Sequence, residues 1–167
     1  MRTRAGTDVA LINSGGIRGN RIYPAGEVTQ KTLLEIHPFG NVVCTVEMTG
    51  RVLLQALNNG TSLLPDFANA GRFAQVSGLR YRVNLADPPN NRVHDVTIGG
   101  TPLDLARTYT VALPDFVLEG GDGYTMFGNV RVLVNKNAGP PILEVVQDAI
   151  AGKTIAPTTD GRITMEP

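Results

Sequence analysis

LRYRVNLADPPNNRVHDVTIGGTPLDL, residues 79–105, is the stretch on which the fold class turns. Over 79–85, Leu79, Tyr81, Val83 and Leu85 alternate with Arg80, Arg82 and Asn84, the period-two pattern of a strand with one buried face. A Pro- and Asn-rich turn at 87–91 leads into a second strand, RVHDVTI at 92–98, and Gly99-Gly100 makes a two-residue hairpin link to a third segment, TPLDL at 101–105. Working outward, DVALI at 8–12 is a short apolar run of the kind found in strands covered on both faces. RTYTVAL at 107–113 and VRVLV at 130–134 supply further strands. In the strand at 42–48, Val42, Cys44, Val46 and Met48 share one face and Val43, Thr45 and Glu47 the other. Helices fall between these strands. Thr29 caps a helix over 30–36 that ends ahead of Pro38. Gly50 leads into an amphipathic helix over 51–59 that Gly60 terminates. Ile142, Val145, Val146, Ala149 and Ile150 sit at helical spacing with Gly152 as the stop. Helices interspersed with hairpins give an α+β class in preference to a doubly wound parallel sheet.

The chain has 167 residues, 15 Lys+Arg against 15 Asp+Glu, and 42% apolar residues. A chain of this length removes roughly 70% of its unfolded surface from water, enough for a core without a disulfide or metal staple. Residues 1–167 read as one domain. The charge balance argues against a non-specific nucleic-acid binder, which needs a basic excess to release phosphate counterions. No apolar run reaches the ~18 residues that suggest a membrane span. A single cysteine, Cys44, excludes an intramolecular disulfide and, from its strand position, reads as a buried core residue.

The usual catalytic constellations are missing. There is no GxSxG elbow, no phosphate-binding P-loop and no HExxH. The two histidines, His37 and His94, lack ligand neighbours at metal spacing. Three glycine-marked loops remain. In NSGGIR (13–18) the amides of a Gly pair can approach an anion and Arg18 can fork onto a phosphate or carboxylate; a tight turn with a surface arginine is the alternative. In HPFGN (37–41), Phe39 is either a lid over an apolar cluster or a ring offered to a ligand. In DFVLEGGDGYTMF (115–127), Gly120 and Gly121 must serve conformation or close approach. Asp122 can accept hydrogen bonds from vicinal hydroxyls, as acidic residues do at ribose, or simply cap a turn. Phe116 can stack on a base.

Taken in order, DVALINSGGIR, HPFGN, GRFAQVSGLRY and LPDFVLEGGDGYTMF, with the closing DGRI at 160–163, resemble the C-terminal substrate-binding domain of the 5′-nucleotidase and UDP-sugar hydrolase family. Ser14-Gly15-Gly16 stands where that family often has three glycines. The resemblance implies mixed β-sheets layered with helices in α/β/β/α order. It implies that Phe39 and Phe116 sandwich a nucleoside, that Asp122, beside Gly120 and Gly121, holds the ribose hydroxyls, and that Asn13 and Arg18 face the phosphate or ribose side. Phe73 reads as core or as backing for the site. The resemblance also implies that this chain carries no cofactor of its own. Two divalent metals and the catalytic residues belong to an N-terminal metallophosphoesterase domain of the same polypeptide, joined by a helical linker with a further arginine for which neither Arg2 nor Arg4 substitutes. The expected protein is a periplasmic, cell-surface or secreted nucleotide phosphohydrolase, with this chain inactive alone. The expected partners are a nucleotide or nucleoside and the metallophosphoesterase domain, with no nucleic acid. A UDP-sugar hydrolase, a 2′,3′-cyclic-nucleotide phosphodiesterase, a hydrolase of thiosulfate-type conjugates and a free-standing nucleoside-binding module are the alternatives.

Overall fold

The structure, a computed structural model, describes all residues 1–167. In chain order it contains α1 (Arg2–Ala5), β1 (Val9–Asn13), α2 (Gln30–Ile36), β2 (Val43–Thr49), α3 (Gly50–Thr61), β3 (Ala74–Ser77), β4 (Leu79–Asn84), β5 (Val93–Ile98), β6 (Thr101–Pro102), β7 (Thr108–Pro114), α4 (Asp115–Leu118), β8 (Arg131–Val134), α5 (Ile142–Ile150) and β9 (Ile163–Glu166). A five-stranded sheet runs β3-β1-β7-β2-β8, in which only the β1–β7 pair is parallel. A four-stranded sheet runs β6-β5-β4-β9, with β4–β9 as its parallel pair. These are the mixed sheets with interspersed helices that the α+β reading expects.

The three central strands of the five-stranded sheet, β1, β7 and β2, are covered on both faces, which explains their apolar runs. Val9 and Leu11 of β1, Val46 and Met48 of β2, and Val111 and Leu113 of β7 enter the main core with Leu79, Tyr81 and Val83 of β4 and Leu53, Ala56 and Leu57 of α3. The intervening Ala10, Val43 and Ala112 face the opposite way, against Ile142 and Val145 of α5. Strand β2 is therefore not the half-exposed strand that its alternation suggests: Val43 and Thr45 are buried as well as Cys44 and Val46. Burial pushes the Cys44 thiol up to about 11, with Asp115 and Glu119 adding to the shift. The four-stranded sheet keeps one polar face. Arg82, on the side opposite Tyr81 and Val83, pairs with Asp95 at 2.8 Å and Glu166 at 2.9 Å.

Helix α2 starts as expected, with the Thr29 hydroxyl accepting from the Thr32 amide. Two expectations are corrected, and two strands arise unannounced. Gly60 does not end α3, which runs on to Thr61. A Cβ at Gly60 would lie 3.1 Å from the Ala74 amide nitrogen and 3.3 Å from the Tyr124 hydroxyl, so the glycine admits neighbouring chain against the helix. The strand expected over 101–105 shrinks to Thr101–Pro102, because the Asp104 carboxylate turns the chain by accepting from the Ala106 amide at 2.9 Å. Strands β3 and β9 arise from segments with no strand expectation. Each follows glycine-marked chain and is too short to display a period of its own.

Candidate functional site

The five-stranded sheet delivers three loops to one place. β1 ends at Asn13, and the following turn, Ser14–Gly16, packs backbone to backbone on residues 71–73: the Ser14 amide donates to Phe73 at 2.8 Å and the Gly15 amide to Gly71 at 2.7 Å. A Cβ at Gly15 would lie 3.3 Å from the Gly71 carbonyl oxygen, so glycine is what permits the approach. The expected anion cradle is thereby narrowed: of the glycine pair, Gly15 spends its amide on the chain, whereas Gly16 also lines the site. The amides of Ser14, Gly15, Ile17 and Arg18 all donate to the chain itself, the last two to Ser14 and Ile36. The guanidinium of Arg18, the loop's one cation, lies 5.4 Å from the centroid of the Phe39 ring.

The second and third loops are tied to each other at their bases. The Val42 amide donates to the Asp115 carboxylate at 3.1 Å, and the Asp115 amide returns a bond to the Val42 carbonyl. Phe39 and Phe116 therefore project from segments fixed two-fold to a common point. Both rings remain about half exposed, at 46% and 43%. Gly121 lies under the Phe116 ring, which a Cβ there would meet at 2.5 Å. Asp122 adopts φ 55° and ψ 25°, a left-handed conformation uncommon outside glycine. Two asparagines hold it there. The Asn13 Nδ2 donates to the Asp122 carboxylate at 2.6 Å, and the Asn59 Nδ2, from α3, donates to its carbonyl at 3.2 Å. Behind the loop, buried Tyr124 donates its hydroxyl to the Arg72 carbonyl at 2.6 Å, and burial raises its phenol well above the ordinary value.

Asn13, Arg18, Phe39, Phe116 and Asp122 thus line a single cleft of about 360 Å³. Gly120 and Gly121 do not line it; Gly120, at φ 93°, turns the chain. Phe73 belongs to the main core. Sequence reasoning missed Asn41, Asn69, Ala68 and Gly71, which help complete the lining. Asn69 lies in an irregular segment, where its amide and Nδ2 donate to the Asp66 carboxylate; the Asp66-x-x-Asn69 spacing was the only signal it left. The Asn13 Oδ1 is buried and has no hydrogen-bond partner. The cleft therefore offers two aromatic faces, one guanidinium, one carboxylate and an unused amide oxygen, a set suited to a flat ring carrying hydroxyls and an anion.

The donor set does not suit a divalent metal. No group of three His, Cys, Asp or Glu side chains gathers anywhere in the chain. His94 is engaged with Asp87 at 2.7 Å, and His37 is half-buried, its imidazole held below the ordinary basicity by desolvation. No helix is long and apolar enough to cross a membrane.

Among known proteins, the chain is 35% identical over 99% of its length to protein 5NUC of Lutzomyia longipalpis, of which it covers 31%. It is 34% identical over 97% of its length to the cell wall protein Lmo0130 of Listeria monocytogenes, covering 21% of it. The crystal structure of a 5′-nucleotidase precursor from Thermus thermophilus superposes with a TM-score of 0.88 and 36% identity, over 99% of this chain and 33% of that one. The chain thus spans about a third or less of the length of these relatives. The family described as "5'-nucleotidase, C-terminal domain" matches residues 1–129. Every residue that lines the cleft falls inside that match, so what defines the family and what builds the site are the same stretch of chain, and the protein belongs to the family of 5′-nucleotidase C-terminal domains.

Proposed function

We propose that this chain is the substrate-recognition domain of a larger 5′-nucleotidase-type phosphohydrolase. In this reading Phe39 and Phe116 clamp the nucleoside base, Asp122 accepts from the ribose hydroxyls, and Asn13 and Arg18 face the ribose or phosphate side. One observation carries it: two half-exposed phenylalanines, from loops remote in sequence, share a cleft with Arg18 and the Asn13–Asp122 pair. Half-exposed rings are costly to leave in water, and stacking on a base, worth about 1–3 kcal/mol per base, gives them a partner that any nucleotide supplies. The carboxylate and the guanidinium then fix orientation.

Hydrolysis needs groups that this chain lacks. The metal-dependent chemistry belongs in this proposal to an N-terminal metallophosphoesterase domain of the same polypeptide, a division supported by the small share of each relative that the chain covers. Secretion or attachment at the cell surface is the matching location, supported by the likeness to a cell wall protein. The decisive test is calorimetry of this chain with AMP and adenosine, paired with a phosphate-release assay in the presence of divalent metals. Saturable one-to-one binding without phosphate release is expected. Release of phosphate by the chain alone would overturn the division of labour, and the absence of binding to either ligand would overturn the recognition role.

A further inference from the structure

A second pocket, of about 300 Å³, opens where β3 turns into β4 at the seam between the two sheets, away from the cleft. Three arginines converge on it: Arg2 from α1, Arg80 from β4 and Arg162 from the entry to β9. They meet a single carboxylate, Asp160, and its engagement is unequal. Arg162 holds Asp160 through Nε and a terminal nitrogen, both at 2.8 Å, and donates its other terminal nitrogen to the Val76 carbonyl at 2.8 Å. Each nitrogen of that guanidinium is therefore engaged within the chain. Arg80 reaches the Asp160 carbonyl at 2.9 Å but stands 3.9 Å from the carboxylate. Arg2 pairs with no carboxylate; its Nε donates to the Ser77 hydroxyl at 3.0 Å. The other nearby acid, Asp8, directs its carboxylate at the Thr110 amide and hydroxyl. Three positive charges against one negative leave the pocket with a surplus of two.

The backbone holds this surplus in place. Gly78 sits at φ +87°, and a Cβ there would meet the Arg2 Cδ at 2.8 Å, so the aliphatic stem of Arg2 lies across the glycine with its guanidinium above the seam. Gly99 and Gly100, which close the hairpin between β5 and β6, have open space where a Cβ would stand, so no side chain fills the pocket mouth. Unpaired guanidinium nitrogens, with the Ser77 and Thr97 hydroxyls on the same lining, form the fork-shaped donor array that fits a tetrahedral oxyanion.

We propose that this seam is a second ligand site, specific for a phosphoryl group, with Arg2 and Arg80 as its anion-binding residues. The site bridges the edge of the five-stranded sheet to the four-stranded one, so an occupant ties the two sheets together and stabilises the fold by mass action. It is independent of the nucleotide cleft, whose own arginine is Arg18. The test is a titration of the 15N-labelled chain with inorganic phosphate and, separately, glycerol phosphate, at constant ionic strength, following the amides of Gly78, Gly99 and Gly100. Saturable shifts at these amides are expected, weakened about tenfold by R2Q and again by R80Q, the loss of roughly one charge-assisted hydrogen bond each, and unchanged by R18A. Equal response to both ligands marks the occupant as a phosphoryl group on a larger molecule; response to phosphate alone marks the free ion. Shifts reproduced by sodium chloride, insensitive to R2Q and R80Q, or abolished by R18A would each overturn the proposal. The same spectra report whether each variant is folded.

Discussion

Gly121 and Phe116 show how one missing methyl decides a recognition surface. Phe116→Ala is expected to weaken adenosine or AMP binding by about 1–3 kcal/mol, read by calorimetry, and unchanged affinity would remove the ring from the site. Gly121→Ala tests the same ring from below. Its Cβ would intrude on the Phe116 ring at 2.5 Å, so the ring must swing away and affinity should fall although every cleft side chain remains. Cys44 carries a separate expectation. It is fully buried, with its thiol pushed up to about 11 by desolvation and neighbouring carboxylates. A thiol-reactive dye should leave the native chain unlabelled at neutral pH and label one site after denaturation; fast labelling of the folded protein would contradict the packing of β2. Residues of this kind were partly legible in the sequence. Phe39, Phe116 and Asp122 were legible as candidates because glycine-marked loops carry them, but not as settled ones, since Tyr124 and Phe127 also stand beside glycines and belong to the core. Asn69 and Asn41 were not legible, since an asparagine in irregular chain looks the same whether it closes a turn or faces a ligand. Of the amides in Ser14-Gly15-Gly16, those of Ser14 and Gly15 are not free, because partners for a backbone donor, here Phe73 and Gly71, are invisible to local reading.

At the scale of elements, the strands with a periodic face were legible and the short ones were not. Strand β4 reads directly from LRYRVN, whereas β3 and β9, of four residues each, owe their conformation to the neighbours that pair with them. Helix α3 gives the sharpest test of that distinction. Local propensity says that Gly60→Ala should stabilise a helix by about 1 kcal/mol. Packing says the reverse, because the new methyl would sit 3.1 Å from the Ala74 amide and 3.3 Å from the Tyr124 hydroxyl, and forcing β3 and the Tyr124 loop apart costs about 1–3 kcal/mol. Net destabilisation in urea unfolding is the expected outcome, together with weaker nucleoside binding, since the Tyr124 loop carries Asp122. A stabilised Gly60→Ala variant would show that β3 and the Tyr124 loop give way to the methyl and that helix propensity outweighs packing at this position.

For the whole molecule, the titration of His37 links stability to pH. Desolvation lowers its pKa in the folded state below the ordinary 6.5. Above about pH 6.5 the imidazole is neutral folded and unfolded, and the group has no effect. Below it the unfolded chain takes up a proton that the folded chain resists, so stability falls as pH drops from about 6.5 toward the folded value. Urea midpoints at about pH 7.5 and about pH 5 should therefore diverge more for the parent than for His37→Gln; equal divergence would show that the imidazole titrates as if in water. The architecture as a whole was legible as a class, because alternation and helix spacing are local, but its connectivity was not. Both parallel pairs join remote segments, Val9 facing Val111 and Tyr81 facing Ile163. Such pairing places the chain among slow folders, since long loops must close before their contacts form. It also sets an order on synthesis: the edge of β4 that β9 covers stays bare until Ile163 has been made, leaving an interval in which the nascent sheet is open to strands of neighbouring chains.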